Sequence, residues 1–351
     1  MIYQLEQSNF NKVEGLIKNT NHELSIKAVI SGSSEGAIYA DDVEFPLSTL
    51  IFTPECNVVA GKANNKLFNS EIKNKLDFFD SITCDDKEWE NNLHEIHRNI
   101  AMRKYVRRNY KFDKLIYNNF VENLNNQYTL EYVNVNTLNG LDFENSDKIR
   151  DWFKINDLNR YKDYCLGSYI REDKKIISWS LVDCIVGDKI EIGVTTDGNY
   201  KKMGLGAIVA AATVSSCISK GIKEIGWHCV DTNIGSIKIA EKVGFKLINK
   251  RDTFTPFPPI ENVTDLNSEQ WAEWATYYEE MNKVQPNYYW LSATCWAKAS
   301  RMKETIDNIM KLIETDQMWF LQYFAGEEAF DAFKGNEEWE NLNIKILKLR
   351  G

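Results

Sequence analysis

The chain reads as an α+β (α/β) protein, with a mixed, mostly antiparallel central sheet flanked by helices. An α+β domain precedes that sheet and a small all-α domain follows it. Three observations predict this. Between 126 and 252, β-branched runs at period two lead into an apolar helix, a further strand and a capped helix. Before them, residues 1–125 mix short strands with helical patterns. After them, 253–351 opens on a proline cluster and continues as helical patterns.

Taken in order, Leu5, Phe10, Val13, Leu16 and Ile17 have helical spacing. From 25 to 61 the runs IKAVIS, GAIYA, STLIFT and NVVAG alternate with turns such as Pro-Glu-Cys-Asn, which predicts an antiparallel meander. Helices are expected over 69–79 and 87–100, the second with Trp89, Leu93 and Ile96 on one face. His94 and His97, three apart, lack nearby partners for a metal site and read as surface or cap residues; no metal is expected. The segment from Arg103 to Lys114 holds six basic residues among aromatics and reads as a solvated strand edge.

A strand over 128–135 and a helix over 147–154 open the middle domain. Strands LGSYI (166–170), IISWSLVDCIV (176–186) and IEIGVTT (190–196) follow as antiparallel neighbours, with a tight hairpin at Gly187-Asp188. The turn Lys201-Lys-Met-Gly204-Leu-Gly206 then leads into a helix at 207–218 that is apolar nearly all round and therefore buried. Such a turn leaves backbone N–H groups unpaired at the positive end of a helix, which suits a pyrophosphate. Strand 224–230 and a helix started by Asn233 and Ser236 and stopped at Gly244 complete the pattern.

In the last domain, Asn267-Ser-Glu-Gln270 is an Asn-started capping box ahead of Trp271, Trp274, Tyr278 and Met281 at helical spacing. Helices over 287–299 and 302–314 pair small alanines with larger aliphatics, and an aromatic-rich tail reads as core.

The chain has 351 residues, 43% hydrophobic and 26% charged, as expected of a folded multidomain protein. Its net charge of −9 argues against nucleic-acid or anionic-membrane binding. No leader or membrane-spanning run is visible, so a cytoplasmic location is expected. The seven scattered cysteines indicate neither a disulfide framework nor a zinc site.

The glycine turn, with Lys201, Gly204 and Gly206 at the signature places and Tyr200 before them, resembles that of the GNAT superfamily of acyl-CoA N-acetyltransferases. The stretch from Asn233 through Ser236 and Ala240 to Gly244-Phe245 resembles its second signature. More narrowly, 227–245 with the β-rich first half is similar to the zwittermicin A resistance branch, and the segment from Tyr288 resembles a tetratricopeptide-like pair.

The resemblance implies direct acetyl transfer from acetyl-CoA (coenzyme A) to the primary amine of a small molecule. It implies that Val194, Thr195 and Thr196 pair with the pantetheine arm. The amides of Met203, Gly204, Leu205, Gly206 and Ala207 would hold the pyrophosphate, with Lys201 and Lys202 in reach and Asn233 beside the cofactor. Glu191 is the implied base, acting through water, and the Val194 amide the oxyanion donor. Many members carry a Tyr where this chain has Ala240, so Ser236 and Asn233 are the candidates to assist the leaving thiolate, alongside their capping role. His228 and Cys229 invite a nucleophilic reading but lack a matched base and orienting group, so Cys229 reads as packing. The alternative function is an acyl-CoA-binding adaptor with little or no transfer, whose C-terminal helices bind a protein partner or self-associate.

Overall fold

A computed structural model describes residues 2–20, 23–76, 80–97, 102–138, 140–153, 167–255, 266–283, 288–315 and 318–350. The helix ends expected at 77–79, 100 and 154, Cys165, Leu166, the prolines of 256–260 and Asn287 lie outside these residues. So do the side chains of His94, Trp319 and Phe320. The described residues up to Thr255 form one compact unit and those from Leu266 another.

The first unit begins with β1 (Tyr3–Gln4), a 3-10 segment (Gln7–Leu16), α1 (Leu24–Ile30), β2 (Ala37–Ala40), β3 (Ser48–Phe52) and β4 (Asn57–Gly61). Then come α2 (Lys66–Ile72), β5 (Ile82–Cys84), α3 (Lys87–Asn91), α4 (Leu93–Ile96), β6 (Arg103–Phe112), β7 (Tyr128–Val133), α5 (Val135–Leu138) and α6 (Ser146–Trp152). The remainder is β8 (Gly167–Glu172), β9 (Lys175–Val186), β10 (Lys189–Thr196), α7 (Leu205–Ser219), β11 (Glu224–Val230), α8 (Ile234–Val243) and β12 (Phe245–Thr255).

Among the described residues, twelve strands form one sheet in the order β1-β2-β3-β4-β5-β12-β6-β11-β10-β9-β8-β7. Pairs β4–β5 and β10–β11 are parallel and the others antiparallel. The strands before and after 125/126 share this sheet: β12 pairs with β5 through Phe254 and Ile82 while lying along the whole of β6. Arg251 reinforces that seam with a hydrogen bond to Thr83 Oγ1 (2.7 Å) and an ion pair to the buried Glu23 (2.7 Å). The helix α7 is buried from Leu205 through Val214, so its apolar circumference is accounted for by the sheet beneath it and α8 beside it.

Several sequence expectations are corrected. The run IKAVIS is helix α1, not a strand: Leu24, Ser25, Ile26, Ala28 and Val29 are all buried, so no amphipathic period marks it as helical. Within 5–18 the helical spacing is met by the 3-10 helix Gln7–Leu16, which buries Phe10 and Val13. Helix α2 starts at Lys66 because Asn65 caps it, and the expected 87–100 helix breaks at Asn92 into α3 and α4. β6 is an inner strand, not an edge. Its cations are matched across the sheet, Lys104 with Asp252, Arg108 with Asp231 and Lys111 with Glu224. His97 caps α4 but is fully buried, with Nε2 3.1 Å from the Asp80 carbonyl.

The second unit contains α9 (Ser268–Asn282), α10 (Tyr289–Lys298), α11 (Met302–Glu314), two 3-10 segments and α12 (Glu337–Arg350). The Asn267–Gln270 capping box is formed. Ala293 and Ala297 pack with Ile309, Leu312, Phe324, Phe330 and Trp339 in a core of its own.

Candidate active site

The central feature is where two parallel strands part. β10 and β11 pair over only three residues, Lys189 with Glu224, Ile190 with Ile225 and Glu191 with Gly226. β10 continues to Thr196 and β11 to Val230, so beyond Glu191 the ladder between them is open. Val194, Thr195 and Thr196 line this stretch and pair on their other side with Ser180, Trp179 and Ser178 of β9. They are half-buried.

At the same point β9 carries a bulge. Cys184 opposes Glu191 and Val182 opposes Ile192, leaving Asp183 as the extra residue. A bulge of this kind directs two successive side chains toward one face. Asp183 and Cys184 accordingly both reach the face that carries Glu191.

Alternation along β11 separates the two sides of the sheet. Trp227 and Cys229 are in the core with α7 and α8, which fits the packing role read for Cys229. His228 points the other way, toward Glu191. Room for Glu191 comes from its parallel neighbour, since a Cβ on Gly226 would lie 2.7 Å from the Glu191 Cγ. Trp152 of α6 covers Gly193, where a Cβ would meet its ring at 2.6 Å.

A third carboxyl group arrives from the first half of the chain. Glu55, on the turn joining β3 and β4, places Oε2 2.6 Å from His228 Nε2, and Glu191 Oε2 lies 3.8 Å from the same nitrogen. The Arg107 guanidinium donates to His228 Nδ1. Cys184 donates to Glu191 Oε2 (3.7 Å).

Electrostatics divides these carboxyl groups. Burial, then the charges of Glu55, Glu23 and Asp183, push Glu191 well above the usual carboxylate range. Burial and Glu55 do the same to Asp183, against a hydrogen bond from Trp152 and the field of Arg107. Glu55 is partly buried and also loses solvation, but His228 and Arg107 outweigh that loss and hold it below its ordinary value. Burial and Glu191 raise the Cys184 thiol. Ligand atoms of Glu55, Cys184 and Glu191 lie within 4.8 Å of one another and could hold a cation if the thiol lost its proton.

At the other end of β10, Asp197 caps a 3-10 turn over Gly198–Tyr200, and the Tyr200 hydroxyl donates to Glu172 (2.6 Å). Lys201, Lys202 and Met203 are exposed, while Leu205, Gly206 and Ala207 are buried. Gly204 sits at the start of α7 with φ +82°, a conformation that favours glycine. The Ala207 amide already bonds the Gly204 carbonyl (3.2 Å), so the amides before it form the outward-facing set. A Cβ on Gly206 would approach Ile239 Cδ1 at 2.9 Å, which makes this glycine a packing point between α7 and α8.

Asn233 caps α8 by accepting from the Ser236 amide (2.9 Å). The Ser236 hydroxyl accepts from the Trp227 indole (3.0 Å). Ala240 is fully buried against the same core. The structure thus brings Glu191 together with His228, Glu55, Arg107, Asp183 and Cys184, and places Ser236 and Asn233 on the opposite face of the sheet. Glu55, Arg107 and Asp183 were missed as site residues. Each sits in a local pattern read as something plainer, a Pro-Glu turn, a basic edge and an apolar strand.

A family model described as GNAT acetyltransferase matches residues 14–254. YdfB of Bacillus subtilis (strain 168), an uncharacterized N-acetyltransferase, is 19% identical over 259 residues, covering 71% of this chain and 97% of that protein. The crystal structure of a GCN5-related N-acetyltransferase-like protein from Streptococcus suis 89/1591 matches with a TM-score of 0.56 at 20% identity. That match covers 71% of this chain and 98% of the other.

Proposed function

The chain belongs to the GNAT acetyltransferase family, and from that premise we propose that it moves an acetyl group from acetyl-CoA directly to the primary amine of a small molecule. The observation that carries the proposal is the partly buried, raised carboxyl of Glu191 at the parting of β10 and β11. When bound, acetyl-CoA supplies an activated acyl group as a thioester. The site fits it: the open edge of β10 at Val194, Thr195 and Thr196 suits an extended amide-bearing arm, and the start of α7 after Gly204 suits a pyrophosphate. Lys201 and Lys202 are exposed beside that helix start, within the same turn.

An amine reaches the enzyme as an ammonium and must lose a proton before it can attack. A carboxylate with a raised pKa is a stronger base than an ordinary one, so Glu191 suits this step. Because the base works in its ionised form, kcat/KM rises with pH through the raised pKa. On the far side of the gap, Ser236 accepts from Trp227 and keeps its own O–H to donate to the departing sulfur. Asn233 holds the helix start that presents it.

The finer likeness to the zwittermicin A resistance branch, and a cytoplasmic setting, belong to the same proposal. Among the described residues no helix is long and apolar enough to cross a membrane. The helical unit lies beyond the family match and has its own core, which supports a tetratricopeptide-like contact module for a protein partner or a second copy.

A thermal-shift titration with acetyl-CoA, followed by thiol release over a panel of amines, tests the function. A shift with turnover supports transfer. A shift without turnover on any amine supports the adaptor reading, and no shift overturns both.

A further inference from the structure

The loop joining β2 to β3 is held rigidly while it displays apolar side chains to solvent. Asp41 Oδ1 accepts from the amides of Leu47 (2.8 Å) and Ser48 (3.0 Å), and its Oδ2 accepts from Asn65 Nδ2 (2.8 Å). Asp42 Oδ1 accepts from the amides of Glu44 (2.7 Å) and Phe45 (2.9 Å). Lys12 ties the loop to the 3-10 segment, donating to the Val43 carbonyl (3.2 Å) and pairing with Glu44 (2.8 Å). Pro46 removes further backbone freedom. Yet Phe45 is 82% exposed and Leu47 is 56% exposed. Fixing an aromatic ring in water costs entropy and gains the monomer nothing, whereas binding gains from an anchor that is already ordered.

A hollow of about 730 Å³ adjoins the same 3-10 segment, lined by Ile17, Ile26, Ile30 and Val186. In a 3-10 helix residues three apart eclipse one another, so Asn11 and Glu14 form one row, and both line the hollow. Lys12, which holds the loop, belongs to the next row. Knob and hollow therefore flank one element. α1 turns Ile26, Lys27 and Ile30 toward the hollow, while Leu24 and Ala28, on another face of that helix, pack with Cys184. The hollow is thus set apart from Glu191, and the proposed reaction does not account for it. Phe45, exposed as it is, does not fill the hollow of its own chain.

We propose that these two features meet across two copies of this chain. Phe45, Pro46 and Leu47 of one copy seat in the hollow of a second, and a two-fold axis beside the 3-10 segment returns the contact. A surface that carries both halves of the fit is what an isologous interface requires. The volume admits a phenyl ring and a leucine side chain together. The signs of charge match as well: the hollow carries exposed Glu14 and Lys27, and the loop carries Asp42 with Lys12 at its base. Lys27 has no ion-pair partner among the described residues, and exposed Asp42 supplies the counter-charge.

The test is sedimentation equilibrium of the full chain over the micromolar range, with circular dichroism on the same samples. Wild type should associate reversibly to twice its 40.7 kDa and no further. Phe45→Ala, a change at an exposed position, should keep the spectrum and weaken association about 30-fold, as the loss of a seated aromatic anchor does. Asn11→Trp, which brings an indole into the hollow from an exposed position, should weaken it comparably. A mixture of the two variants should associate more tightly than either alone, because one still supplies the loop and the other an open hollow.

A wild-type chain that stays monomeric overturns the proposal, as does growth beyond the dimer or a mixture no tighter than its components. Phe45→Ala associating as tightly as the wild type overturns it too, and places self-association elsewhere. Should Asn11→Trp fail to fold, wild type and Phe45→Ala decide by themselves. None of these readouts depends on acetyl transfer.

Discussion

At the scale of single residues, the site is a set of carboxyl groups whose protonation is set by neighbours. For Asp183 the consequence extends to stability. Its folded-state pKa is raised, so the native protein binds more protons than the unfolded chain between the two values, and stability falls as pH climbs through that window. Asp183→Asn should therefore raise Tm at neutral pH and flatten its decline with rising pH, read by thermal denaturation at several pH values. A variant as pH-dependent as the wild type would contradict the assignment. Gly226 gives a second test. A methyl there must displace Glu191, whose Cγ lies 2.7 Å from the ideal Cβ, and a displacement of this size costs on the order of 100-fold in rate. Gly226→Ala should lose thiol-release activity to about that extent while keeping the acetyl-CoA thermal shift, because the change lies away from the helix start that would hold the phosphates.

At the scale of elements, the hydrogen-bond ladder and the helix ends shape the site. α8 stops at Gly244, which has φ +123° and where a Cβ would lie 1.9 Å from the Lys114 carbonyl oxygen. Gly244→Ala should destabilise the fold by roughly 2–4 kcal/mol, since it combines a strained backbone with a clash against rigid main chain. Chemical denaturation measures this, and a loss below about 1 kcal/mol would contradict it. Gly206→Ala should cost far less, because only the tip of Ile239 has to move.

These elements were also the most legible in the sequence. β8 to β10, the glycine turn and the capped helix α8 announce themselves through period-two alternation, turn glycines and an Asn cap, which act over a few residues. Helix α1 was not legible, because a short helix buried on most sides has no polar stripe. The inner position of β6 was hidden for another reason: cations read as edge protection are in fact matched by Asp252, Asp231 and Glu224 on neighbouring strands. Glu55 was hidden most completely, since nothing near Pro54 hints at a histidine on β11. Asp183 was obscured by a bulge that no alternation pattern displays.

At the scale of the whole molecule, the first unit holds the entire family match apart from residues outside the description, together with every group of the site. The helical unit packs Trp290, Phe324, Phe330 and Trp339 into a separate core. A chain ending at residue 257 should therefore fold and keep the acetyl-CoA thermal shift. Its loss would show that the helices contribute to the cofactor site. The continuity of the sheet across the first unit was not legible, because the seam at Phe254, Ile82 and Arg251 joins segments distant along the chain.

The account turns on Glu191 as the group that takes the proton from the attacking amine. Its most direct test is thiol release from acetyl-CoA by wild type and Glu191→Gln, using whichever amine the panel identifies, with the thermal shift recorded on the same samples. The expected result is a kcat lowered about 10²–10⁴-fold with the shift intact, the range that removing a general base produces. A variant that binds acetyl-CoA and turns over as fast as the wild type would contradict it.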